Sequence, residues 1–236
     1  MANESRHPGL DRTALAGDDR QRWRAAGRLA PPPVSADHEL RRRLTAAWAE
    51  SIAVRGYSRT TVQHLVDSSR ISRSTFYDNF GSKDEAFVAI HTDALASLGM
   101  HVTVAAAAEP TWPRKVTSGL AAALEVAAGR PQEARLLVGD LFGAGPRMGY
   151  CHDLLLARFT PGLAAGRRSN RAPPLPSSLE TALLGSLIGI VSSRVHSGVG
   201  DTLPALAPSM TEFILAPYLG VEKAKRTAGV LSAEAP

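Results

Sequence analysis

The sequence predicts an all-α chain, with a small helix-turn-helix headpiece followed by a larger helical part. Three observations predict it. Apolar residues recur at helical spacing, as in Leu40, Leu44, Ala47, Trp48 and Ile52, and again in Val62, Leu65 and Val66. Helix start signals recur along the chain: Thr60 with Gln63, Ser82 with Glu85 and Ser177 with Glu180 each have the spacing of a capping box. Beyond the headpiece the chain is rich in Ala and Leu, with no strand signature.

Taken in order, residues 1–36 lack an apolar period and end in Pro31-Pro32-Pro33, which reads as a tail and linker. Arg20, Arg22, Arg24 and Arg28 make its second half basic, either as a solvated tail or as an arm that supplements nucleic-acid binding. Asp37 is placed to cap the first helix, whose Arg41, Arg42 and Arg43 either solvate it or reach phosphate. The stretch Thr60 to Lys83 reads as helix, turn, helix. Ser68, Ser69 and Arg70 interrupt the apolar period, and Ser72 caps a short second helix with Phe76 and Phe80 facing inward. Arg73, Ser74, Tyr77 and Asp78 then share the opposite face, which is rich in donors and short enough to enter a major groove. Ser72, Arg73, Ser74 and Thr75 lie at the N-terminal end of that helix, where base edges are reached in such motifs. Arg73 is the candidate for a bidentate guanine contact. Ser82 opens a linking helix expected to run to about Met100, with Phe87, Ile90, Ala94, Leu95 and Leu98 apolar.

Further helices are expected from Trp112 to about Ala128 after Thr111, from Pro131 to Phe142, and from Pro146 to about Ala164. Pro161 argues for an earlier end or a kink in the last of these. A loop rich in Pro, Arg and Ser covers Gly166 to Pro176, and an apolar helix runs from Ser178 to about Ser197. Asp201 or Thr202 caps a last helix with Pro204 in its first turn, and the residues after Gly220 read as a frayed tail. The organisation is thus a tail (1–36), a headpiece with its linking helix (37–100, the helix-turn-helix at about 61–80), a larger helical domain (101–220) and a C-terminal tail (221–236).

Composition bounds the function. Of 236 residues, 44% are hydrophobic and 21% charged, which is ordinary for a globular protein. The longest strongly apolar run, Leu183 to Val191, is too short for a bilayer, which takes about 20 residues. No secretory signal is expected, and a single Cys151, read as a small buried thiol, excludes an internal disulfide framework and fits a reducing cytoplasm. The formal charge is +5, yet residues 37–100 carry eight basic and eight acidic side chains, so net charge does not single out the headpiece. The glycines at 143, 145 and 149 miss the dinucleotide spacing by one, Gly185-Ser186-x-x-Gly189 is not a nucleophile elbow, and the seven histidines lack metal-ligand spacing. No enzyme, metal or cofactor is therefore expected.

The string F-Y-x-x-F-x-S-K (Phe76, Tyr77, Phe80, Ser82, Lys83), preceded by a Thr-capped helix and Gly56-Tyr57, resembles the headpiece of TetR-family transcriptional regulators over Leu40 to Leu95. It departs from the family pattern at Arg70, where a glycine usually makes the turn, at Val66 for alanine, and at Asn79 for His or an aromatic. The resemblance implies a homodimer on a palindromic double-stranded DNA operator, released by a small molecule, with effector-independent architectural DNA binding as the alternative. It places Tyr77, Lys83, Thr60 and Thr61 on phosphate. It also implies an effector pocket, for which Leu98, Trp112, Phe142, Met148, His152 and Phe159 are candidates, and the prevalence of Ala, Leu and Val suggests a mostly apolar effector. Gly185 and Gly189 would let another backbone approach, and with Phe213 they are the candidate dimer interface.

Overall fold

Helical periodicity governs the chain wherever the computed structural model describes it, which is residues 34–139, 146–169 and 175–234; among these there is no strand. Residues from Glu39 onward form one unit. The first helix, α1 (Val34–Arg59), has already begun before Asp37, so Asp37 is not its cap.

Gly56 bends α1 near its end, at φ 74° and ψ 164°, a backbone region that is essentially glycine's alone. The bend folds Tyr57 back onto Trp48, with ring centroids 5.7 Å apart and nearly parallel, and edge-on to Phe87 at 4.9 Å. Two short helices follow, α2 (Val62–Ser69) and α3 (Arg73–Asn79), and then the long α4 (Lys83–Ala107). Leu44, Trp48, Leu65, Phe76 and Phe87 are fully enclosed between them. The turn between α2 and α3 keeps the left-handed geometry that glycine favours, but makes it with Arg70 (φ 54°, ψ 39°). That conformation costs an L-residue roughly 1–2 kcal/mol.

The cap of α2 is one residue later than the sequence predicts. Thr61, not Thr60, accepts the amide of His64, and the His64 ring accepts the amide of Thr61 (both 3.3 Å). Ser82 caps α4 as expected, accepting from the Glu85 amide at 3.1 Å, but the Glu85 carboxylate reaches back to Gly81. α4 also runs seven residues beyond Met100, because Val102, Val104 and Ala105 to Ala107 sustain it until Glu109-Pro110. By length and composition α4 is apolar enough to cross a membrane. Here Ala94, Leu95 and Gly99 are buried on it, and it packs along α5 (Trp112–Gly129) and α7 (Pro146–Ala164).

Between those two lies α6 (Pro131–Val138), which ends at Gly139; Phe142, the end the sequence predicts, lies outside the described residues. Pro161 falls in the last turn of α7 and does not end it early. After the short α8 (Gly166–Ser169), α9 (Leu179–His196) starts without a side-chain cap, so the Ser177–Glu180 box does not form: Glu180 is turned to another partner. Neither Asp201 nor Thr202 opens the next α-helix. A 3-10 segment (Gly200–Leu206) takes up Pro204 first, and α10 (Ala207–Leu219) follows it. The expected frayed tail is a helix, α11 (Val221–Glu234), whose Ala224 and Ala228 are buried as it packs on α10. Two alanines four apart are a weak apolar stripe, which is why the pattern escapes a reading by large residues.

Candidate nucleic-acid interface and ligand cavity

The exposed N-terminal end of α3 is built from short polar side chains held by one another. The Ser72 hydroxyl accepts the Thr75 amide at 2.9 Å and lies 2.7 Å from the hydroxyls of both Ser74 and Thr75. Arg73 points outward beside them. Its guanidinium lies 5.5 Å from the centre of the Tyr77 ring and donates to the Gln63 side chain at 3.4 Å, while Gln63 donates to Asp67 at 2.7 Å. Gln63 therefore joins this surface from α2. The sequence offered it only as a capping residue, because a partner ten positions away is invisible to local spacing. Tyr77 is 43% exposed, and Asn79 donates to the Thr75 carbonyl at 2.8 Å.

The remaining headpiece candidates divide. Thr61 is an exposed N-cap, but Thr60 is buried, with its hydroxyl donating to the Gly56 carbonyl at 2.9 Å, so its side chain is not on this surface. Lys83 donates to the Tyr57 carbonyl at 3.2 Å and sits 4.5 Å over the Tyr57 ring, and the Tyr57 hydroxyl donates to Asp84 at 2.5 Å. Arg41, Arg42 and Arg43 of α1 are paired. Arg42 and Arg43 grip Glu39 at 2.8 and 2.7 Å, which holds its carboxyl down to about 2, and Arg41 pairs with Asp93. The basic residues of the N-terminal tail lie outside the described residues.

Further along α4, His91 is fully buried beside Phe87. Burial lowers its imidazole to about 4, with a small opposing contribution from the Leu137 backbone. Beyond it, Leu98, Val102 and Ala106 form one wall of a cavity of about 390 Å³, within the range of small-molecule sites. α5 supplies a second wall from Trp112 to Ala127, and α6, α7, α9 and α10 close it with Leu137, Phe159, Leu187 and Ile214 among others. Of the candidate pocket residues, Leu98, Trp112 and Phe159 border this cavity. His152 is not among the lining residues, although it precedes Phe159 by two turns on the same face of α7. Phe142 and the side chain of Met148 lie outside the described residues.

Trp112 is fixed in that wall from three sides. Its indole N–H donates to the Gly162 carbonyl at 2.9 Å, and its ring meets Tyr218 edge-on at 5.0 Å. Gly166 lies so close that a Cβ there would come within 2.3 Å of the indole, which explains a glycine at that site. Behind Tyr218 is an ion pair, with Glu180 buried and Arg167 half-buried, that local sequence could not reveal. Arg167 forks onto Glu180 with two 2.7 Å bonds, and the Tyr218 hydroxyl donates to the same carboxylate at 2.7 Å. Chiefly through Arg167, with a smaller part from Tyr218, these bonds hold the Glu180 carboxyl down to about 2 despite burial; burial pushes the Tyr218 phenol up.

On the opposite side of α9, Gly185 and Gly189 are half-buried, and nothing among the described residues lies within 4 Å of a Cβ at either. Ala182, Ser186 and Ile190 are exposed beside them, as is Phe213 on α10. Among the described residues no backbone makes the close approach that these glycines allow.

The family model of bacterial regulatory proteins, tetR family, matches residues 44–90, which is the headpiece from α1 to the middle of α4. No curated protein matches the sequence. Solved structures share the fold at low identity. The fatty acid degradation regulator FadR of Bacillus halodurans is 13% identical, with a TM-score of 0.63 over 74% of this chain and 97% of that one. FadR of Bacillus subtilis, solved with stearoyl-CoA, is 16% identical, with a TM-score of 0.58 over 76% and 98%. The RolR regulator solved with resorcinol is 18% identical, with a TM-score of 0.51 over 83% and 96%. Residues 44–90 thus carry a headpiece like that of the bacterial regulatory proteins of the tetR family, and the chain shares its fold with solved regulators.

Proposed function

We propose that the chain is a ligand-released repressor that binds a palindromic operator as a cytoplasmic homodimer. One observation carries the reading: α4 is a single unbroken helix with Lys83 at the headpiece end and Leu98, Val102 and Ala106 in the cavity wall. A molecule that shifts the cavity end of α4 shifts the headpiece end with it. Residues 37–100 act as the DNA-binding part and 101–220 as the sensing and dimerising part. Ser72, Arg73, Ser74 and Thr75 face base edges, with Arg73 on guanine, while Tyr77, Lys83 and Thr61 take phosphate. The exposed small residues around Gly185 and Gly189, together with Phe213, are the surface offered to the second copy.

The effector occupies the cavity and is mostly apolar. Proteins of this fold have been solved with ligands as unlike as stearoyl-CoA and resorcinol, so the lining and not the fold must choose it. Fluorescence anisotropy with the upstream DNA of the protein's own gene tests the reading, titrated with and without candidate effectors. Ligand and operator should weaken each other by the same factor, with coupling of about 1–3 kcal/mol. Operator affinity indifferent to every effector would leave an architectural DNA binder. Leucine at both Gly185 and Gly189 should yield monomers in sedimentation with much weaker operator binding, because two recognition helices about 34–36 Å apart support each other on DNA. Persisting dimers would move the interface elsewhere, most simply to α10 around Phe213.

A further inference from the structure

We propose that the effector is an anionic single-chain amphiphile, its unbranched hydrocarbon chain lying along α5 and its anionic head at Lys115. The proposal rests on the reading of the cavity as the effector site. Three features of the cavity support it.

The first is shape. Lining residues follow one face of α5 from Trp112 to Ala127, fifteen steps that span about 22 Å at the helical rise. A sphere of the same 390 Å³ volume is only about 9 Å across, so the space is long for its content and a compact ring system would leave most of it empty. The second is chemistry. Among the described residues the lining holds no Ser, Thr, Asn, Gln, Tyr or His, and its one indole donor is already bonded to Gly162. A ligand hydroxyl buried there loses its water partners without replacement, which weakens binding about tenfold or more per group. Methylene groups lose nothing.

The third is the position of charge. Only two ionisable side chains border the cavity among the described residues, and they stand at opposite ends. Lys115 is in the first turn of α5, exposed, one turn from Trp112. Glu133 is in the first turn of α6, just past the other end of α5, and is paired with Arg130 at 3.5 Å. An anionic head is attracted to the first end, while the second carries a carboxylate already paired with Arg130 and offers it no free cation, so the chain has a direction. Free fatty carboxylates and acyl thioesters share this chemistry.

The test uses the full-length, delipidated dimer or monomer as purified, with binding read by displacement of a fluorescent fatty acid, cis-parinarate. In a series from octanoate to hexadecanoate, affinity should rise about fourfold per methylene and then stop at a definite length. Adamantane carboxylate, with the same charge on a compact body, should bind far more weakly than dodecanoate. Lys115→Glu should weaken dodecanoate at least tenfold and leave dodecanol unchanged. Ala123→Phe, beyond the middle of the α5 wall, should shift the plateau to shorter chains while octanoate still binds. Ala127→Leu at the far end should do the same by less, and serves if the first variant does not fold. Dodecanoyl-CoA binding where dodecanoate does not would identify the thioester as the natural form. The assignment is overturned if affinity is indifferent to chain length, or if the compact acid matches dodecanoate. If chains bind with this length dependence but never weaken operator binding, the ligand class stands and the effector reading of the cavity falls.

Discussion

Polar side chains are used in opposite ways in the headpiece and around the cavity. At the headpiece surface they face outward and hold one another, as Gln63 does between Asp67 and Arg73, and Ser72 does between Ser74 and Thr75. Around the cavity they are turned away from the space they surround: Trp112 bonds to Gly162, and Tyr218 and Arg167 bond to Glu180 behind the wall. The headpiece surface presents donors, whereas the cavity presents almost none apart from Lys115 at one end. Changes in the headpiece should therefore move DNA binding with little cost in stability, and changes behind the cavity should do the reverse.

The largest expected effect tests the second half of that contrast. Glu180→Ala removes the carboxylate that Arg167 and Tyr218 share and should lower the urea-unfolding midpoint more than any other change. Tyr218→Phe removes one hydrogen bond and should cost only about 1 kcal/mol. If Glu180→Ala is as mild as that, the ion pair is not what braces Trp112.

Acid should weaken the fold in two separate windows. Folded His91 takes up its proton only near pH 4, whereas an unfolded histidine does so near 6.5, so between those values the unfolded chain holds the extra proton. Stability contributed by the neutral buried ring is complete above pH 6.5 and falls by up to about 3 kcal/mol as the pH drops to 4. His91→Phe should flatten this part of the stability profile. Glu180, lowered from 4.5 to about 2, adds a second loss below pH 4.5 that His91→Phe leaves untouched.

In the headpiece, Arg73→Ala should relax discrimination at one base position by about 1–3 kcal/mol while the unfolding midpoint stays put. Gln63→Ala should act in the same direction and by less, because Arg73 would keep only its stacking on Tyr77. Equal loss on specific and random DNA would reduce Arg73 to a phosphate contact. Lys83→Ala is a closer contest, since its ammonium already serves the Tyr57 carbonyl. A phosphate role predicts that the slope of log K against log salt falls by about 0.9. Lost stability with an unchanged slope would assign Lys83 to the headpiece fold alone.

The smallest effect should come from Arg70→Gly. It relieves the left-handed strain of roughly 1–2 kcal/mol but restores about 0.5–1 kcal/mol of backbone freedom to the unfolded chain. A net gain below about 1 kcal/mol is expected; a loss would mean that the Arg70 side chain has a role of its own.

Local pattern alone determined the fold class, the order of the helices, the Ser72 and Ser82 caps, and the polar face carrying Arg73 and Tyr77. These follow from 3.6-residue spacing and from hydroxyls bonding amides three positions on, so every partner is near in the chain. Pattern misjudged details where two neighbours compete for one role, as Thr60 and Thr61 did. There the bend at Gly56 settled the matter by drawing Thr60 into the interior. It also lost α11, whose buried residues are alanines, and it took Glu180 for a cap when Arg167 and Tyr218, 13 and 38 positions away, claim its carboxylate. The cavity belonged wholly to tertiary structure. Leu98, Trp112 and Phe159 line it and His152 does not, although all four lie on helices that border it. An apolar residue reads the same whether it fills a core or faces an empty space. Only the mutual placement of α4, α5, α7, α9 and α10 decides which side chains lack a neighbour.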